Sequence, residues 1–166
     1  MKTNLPTMAL LLTLISCNVT VEKEQPSTLT PETQKSEIPV AALKARLQNE
    51  GYQIFDYVDQ KTGDTILMQQ YFMAFLKAGP RRSQSKQEAD SLQTLHLEHL
   101  GRMYEEGYAD ISGPFGDDGD IRGITIYNVP TFEMADSLAN MDPMVKSGRW
   151  VIEIHPWWAA KGFGLR

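Results

Sequence analysis

One stretch limits the folds open to this chain more than any other: Ser85 to Gly113, SKQEADSLQTLHLEHLGRMYEEGYADISG, an amphipathic helix with two histidines that gives way to a short strand. At about 100° per residue, Ala89, Leu92, Leu100 and Met103 fall on one arc, with His96 near its middle and His99 toward its edge. Both imidazoles therefore face inward. Ser85 and Glu88 form a capping box that satisfies two backbone donors reciprocally, and Gly107 supplies the left-handed residue that ends the helix. Thr94, Glu98, Arg102 and Glu105 lie on or near the outer side, so the inward placement does not depend on where the boundaries are drawn.

The segments around this helix read as an α+β domain. Pro39 to Glu50 is a short helix closed by Gly51, and Tyr52 to Val58 is a β-rich run. A turn at Lys61-Thr62-Gly63-Asp64 joins that run to a longer strand, Thr65 to Lys77, as a hairpin. Gln70 to Leu76 is apolar on both faces, as a central strand must be. After the histidine helix come a strand at Tyr108 to Gly113, a strand at Ile121 to Val129, a helix at Phe132 to Asn140 capped by Thr131, and a final strand at Arg149 to His155. From Ile66 onward the order is strand, helix, strand, strand, helix, strand, which is the ferredoxin-like split βαβ arrangement. Two helices cover only one face of such a sheet. The other face also carries apolar residues, so a homodimer is expected to bury it.

Composition bears mainly on partners and location. The 166 residues carry a formal charge of -5 and show no stripe of Lys and Arg, which excludes a nucleic-acid interface. A single cysteine excludes an internal disulfide. Lys2 and the apolar run Met8 to Ile15 read as a signal peptide, too short to span a bilayer, and Leu14-Ile15-Ser16-Cys17 resembles a bacterial lipobox with Cys17 as the lipidated residue. Residues 1–17 are thus read as a lipoprotein leader. Residues 18–38 are rich in Thr, Glu, Gln, Ser and Pro, cannot bury enough surface to offset ordering, and form a tether. The expected location is the bacterial cell envelope, with the membrane reached only through the lipid anchor.

A histidine on an apolar face needs a hydrogen-bond partner, because an unpaired buried polar group costs on the order of 1 to 3 kcal/mol. Asp142 is the leading candidate partner of His96, since Pro143 pushes it out of the helical region at the end of the second helix. Asp110 is the rival, but strand alternation sets it with Tyr108 and Ser112, opposite Ala109 and Ile111. A His with a carboxylate partner has its tautomer set and suits proton transfer near neutral pH, although the same pair also serves structure alone. His99, Asp110, Arg122 and Trp157 are the candidates for contacting an unknown small-molecule ligand. His96 and His99 share a face but lack a third ligand at a suitable spacing, so no metal is expected. The acidic loop PFGDDGD at Pro114 to Asp120 lacks the alternating oxygen ligands of an EF-hand and reads as a solvated turn. No phosphate loop or nucleophile elbow is present, and no cofactor is expected.

Several blocks in order carry a resemblance to one family: YFMAFLKAGP at Tyr71, HLEHL at His96, GYADISGPFGDDGDIRGITIYNV at Gly107, MDPMVKSGR at Met141 and EIHPWW at Glu153. Together they resemble the YCII-related, or YciI-like, domain over residues 65–163. The resemblance implies a ferredoxin-like fold whose dimer makes a shared α+β barrel, with an active site around a histidine and an aspartate. Carried over, that histidine corresponds to His96 and the aspartate of the Asp-Pro pair to Asp142. Some relatives look like isomerases or lyases, and many have no known substrate. The implied function is acid-base chemistry on a small organic molecule; the alternative is a non-catalytic ligand-binding or interaction module. The lipobox-like leader, the tether and the helix-and-strand extension at 39–64 depart from the family pattern.

Overall fold

The computed structural model describes residues 38–165, so Cys17, the leader and nearly all of the tether lie outside the described residues. The chain runs α1 (Val40–Asn49), β1 (Ile54–Val58), β2 (Thr65–Ala78), α2 (Lys86–Glu105), β3 (Ala109–Pro114), β4 (Ile121–Tyr127), α3 (Phe132–Asn140), α4 (Pro143–Lys146) and β5 (Trp150–Ala160). The local signals act where they stand in the sequence. Ser85 and Glu88 form both halves of the capping box of α2, and Gly107 follows its end at φ 76°. The Thr131 hydroxyl accepts from Met134 N–H and starts α3.

β2 is the spine of the sheet. Residues 72–77 pair with β4 on one edge and with β5 on the other, and β4 pairs in turn with β3, all antiparallel. Residues 68–69 pair with both β1 and β5, so β1 shares the β4 edge of β2. The order β5-β2-β4-β3, with helices after the first and third of its strands in chain order, is the ferredoxin-like α+β connectivity.

One face of the sheet makes the main core. Phe72, Ala74, Ala109 and Tyr127 pack there against Met103 of α2 and Ala135 and Ala139 of α3, with Ile152 and Ile154 of β5 beside them. The opposite face is not left bare, as two helices alone would leave it. Lys44 of α1 pairs with Asp56, which sits across from Leu67 on that face, and Leu47 of α1 is buried. Thus α1 covers the end nearest β1, while Met73, Phe75 and Ile124 stay partly exposed further along.

Three expectations change. The last strand does not stop at His155 but runs through Pro156 to Ala160, in unbroken register with β2. It is an edge strand, where a proline need not interrupt the ladder. Alternation also fails in β3: Ala109 pairs with Tyr127 and Ile111 with Ile126, so Asp110 is an extra, bulged residue. Ala109 enters the main core, whereas Ile111 joins Asp110 on the opposite face. The third change is α4, a single turn that Asp142 caps, with Pro143 at the first position, where its missing N–H is harmless. Gly79 closes the frame. A Cβ there would stand 2.3 Å from Gly148 O, and its N–H donates to Arg149 O at 2.9 Å, pinning the end of β2 to the start of β5.

Candidate functional site

α2 and the turn after α3 bring His96 and Asp142 together across 46 residues of sequence. Asp142 leaves α3 because of Pro143 and then caps α4, its Oδ1 accepting from Met144 N–H at 2.8 Å. Its Oδ2 lies 2.5 Å from His96 Nδ1. An ionised carboxylate only accepts, so Nδ1 carries a proton, and in the neutral ring Nε2 keeps its lone pair. Both side chains are largely withdrawn from water, His96 at 7% and Asp142 at 3% exposure.

His96 borders a cleft of about 240 Å³ together with Leu76, Leu100, Phe115, Arg122 and Trp150. Nε2 has no partner among the described residues and is not among the sealed polar atoms, so it is the reachable nitrogen of the ring. Trp150 lies beside the imidazole with ring centroids 6.5 Å apart and planes at 23°. The loop Pro114 to Asp120 turns back on Arg122: Gly119 O accepts from its Nη1 at 3.2 Å, and Asp118 stands 3.6 Å from its Nη2. That loop therefore positions Arg122, the one cation lining the cleft among the described residues. Phe115 from the same loop forms part of the wall.

His99 takes a different position from the one its place on the helical wheel implied. It is more deeply buried than His96, at 1% exposure, and it does not border the cleft. A guanidinium only donates, so Arg102 Nη2, at 3.0 Å, gives its hydrogen to His99 Nδ1 and leaves the proton of the neutral ring on Nε2. That Nε2 is sealed without a partner. Burial, first of all, lowers the His99 pKa; Asp142 opposes this, and Arg102, His96 and Lys146 add to it. The ring stays neutral, and His99 is not among the residues lining the cleft.

The remaining sequence-derived candidates divide between two places. Arg122 shares the cleft of His96, whereas Asp110 and Trp157 line a separate cleft on the opposite face of the sheet. The β3 bulge and the extension of β5 past Pro156 put them there. Trp150, absent from the sequence-derived set, joins the site because its residue opens β5 directly beneath α2; nothing near it in sequence marks it. Among the described residues no group of three His, Cys, Asp or Glu is placed to hold a metal ion, and no helix is long and apolar enough to cross a membrane.

Fold and site together define a ferredoxin-like α+β domain that holds a buried His-Asp pair beside a cleft. No family profile matches the chain, and no curated protein is similar to it in sequence. Among solved structures, 5-chloro-2-hydroxyhydroquinone dehydrochlorinase from Burkholderia phenoliruptrix AC1100, determined in complex with 2,5-dihydroxybenzoquinone, is similar to 52% of this chain at 22% identity and a TM-score of 0.40. The match takes in 92% of that enzyme.

Proposed function

We propose that the chain is a YciI-like enzyme of isomerase or lyase type, acting on a small organic molecule with His96 as the proton-transferring group. The observation that carries this reading is the 2.5 Å contact of His96 Nδ1 with Asp142 while the other ring nitrogen opens on a cleft. Nε2 takes a proton from a substrate carbon or hydroxyl. It returns the proton at a neighbouring position in an isomerisation, or to the leaving group in an elimination. Asp142 is a positioning residue: it sets the tautomer and stabilises the imidazolium formed in passing. Arg122, held by its loop, is placed to offset negative charge that develops on the substrate.

The test begins with a thermal-shift screen of the full-length chain against small metabolites, since ligands of the native state raise apparent stability. Turnover of the hits is then compared between the wild type and His96→Asn. The expected loss is about a hundred- to ten-thousand-fold with an unchanged circular dichroism spectrum. A variant that turns over every hit at the wild-type rate, or shows only a lower melting temperature, refutes the reading.

Two further proposals belong with it. The partly exposed Met73, Phe75 and Ile124 on the second face support a homodimer, which sedimentation of the chain checks. Cys17 supports a lipid anchor in the cell envelope, which mass spectrometry of the mature N-terminus checks.

A further inference from the structure

The cleft on the second face has a volume of about 540 Å³, larger than that beside His96, and lies at the end of the sheet next to α1. Its walls are apolar where Ile111, Ile126 and Trp157 form them, but four polar side chains, Tyr71, Asp110, Asn128 and Lys161, also line it. Lys161 holds its ammonium 5.4 Å from the centre of the Tyr71 ring and has no ion-pair partner among the described residues. Its backbone N–H donates to Leu67 O at 2.8 Å, which ties the position to β2. Asp110, brought round by the β3 bulge, accepts from Asn128 Nδ2 at 3.1 Å and likewise has no cationic partner. Asn128 is itself held by Gln69 Nε2 at 2.6 Å, and Gln69 is fully buried, so the carboxylate is oriented from behind by two amides in series.

Tyr71 adds an independent sign. The residue is 94% buried (6% exposed), lines the cleft, and its hydroxyl has no partner among the described residues. A reachable hydroxyl on a buried ring, a half-buried ammonium and an oriented carboxylate thus face one apolar space without satisfying one another. Burial raises the Tyr71 pKa, with Asp110 adding to it, so the hydroxyl remains a donor. Burial also lowers the Lys161 pKa, which Asp110 partly offsets, and an ammonium in that state gains most from a bound anion.

We propose that this cleft binds a small zwitterion, an amino carboxylate with an apolar side chain. The ligand carboxylate meets Lys161 and the Tyr71 hydroxyl, its ammonium meets Asp110, and its side chain packs on Ile126 and Trp157. A plain anion would stand beside the like-charged Asp110 carboxylate, and a plain cation beside the Lys161 ammonium; one molecule bearing both charges meets an opposite charge at each. The site is separate from the His96 cleft, so its failure leaves the acid-base reading untouched.

Calorimetric titration of the full-length chain with L-phenylalanine and L-leucine tests it. Saturable binding is expected, weaker by about tenfold or more for 3-phenylpropionate and for phenethylamine, each of which lacks one charge. Lys161→Met and Asp110→Asn should each weaken phenylalanine binding by about tenfold or more, with unchanged circular dichroism. Asp110→Asn keeps an acceptor for Asn128, so it serves even if the lysine variant is poorly folded. No saturation by either amino acid, single-charge analogues that bind equally well, or an Asp110→Asn chain with wild-type affinity overturns the proposal.

Discussion

His96 and His99 sit three residues apart on one helix, and the chemistry open to them differs because of what each meets. His96 has a carboxylate on one nitrogen and a cleft at the other. His99 has a guanidinium on one nitrogen and a sealed, unpaired N–H at the other. The first arrangement can accept a proton and be stabilised while holding it. The second cannot be charged cheaply, since burial and a neighbouring cation both oppose the imidazolium. Two inward-facing histidines on a helix are thus not a pair of equivalent candidates; the partner at the far side of each ring decides its role.

The contrast can be broken in several ways. The largest expected difference is in reactivity. Diethyl pyrocarbonate, read by mass spectrometry, should modify His96 in the folded chain and leave His99 untouched until the chain unfolds. Equal modification of both would erase the distinction. Next in size is Asp142→Ala, which strands His96 and removes the acceptor of Met144 N–H; a loss of about 2 to 4 kcal/mol is expected in denaturant unfolding. Asp142→Asn keeps that cap and should cost less, while still depressing turnover.

His99→Phe should act in the opposite direction, raising stability by about 1 kcal/mol because it removes a sealed, unpaired donor. It should also flatten an acid-side slope. The unfolded imidazole takes up a proton near its ordinary pKa of about 6.5, and the folded one only at lower pH. Between those values the unfolded chain binds more protons, so wild-type stability falls as pH drops through and below about 6.5. Unfolding curves of the variant that keep the wild-type slope in that window would assign it elsewhere. The smallest effect belongs to Ser85→Ala, which removes the capping box eleven residues before His96 and should cost about 1 kcal/mol. It should leave the reactivity contrast between the two histidines intact.

The second face offers a different lesson about what a sequence shows. Asp110 and Trp157 are recognisable as polar and aromatic residues suited to a ligand, and both do line a cleft, though not the one beside His96. Alternation predicted the correct face for Asp110 but not for Ile111, because a bulge adds one residue to β3 and shifts everything after it. Likewise the proline at position 156 reads as a strand end until β5 is known to be an edge.

What the sequence determined by itself was whatever acts within a few residues. The caps at Ser85 and Thr131, the turn at Gly63, the stop at Gly107 and the helical period all depend on neighbours along the chain, and they set the element order and hence the ferredoxin-like connectivity. The departure of Asp142 from helix before Pro143 is of the same kind. Tertiary structure alone decided which histidine was sealed, where α1 lay, which cleft received Arg122 and which received Asp110. Those outcomes depend on side chains that meet across tens of residues, on strand register and on one bulge, and no local preference encodes the contact at the far end.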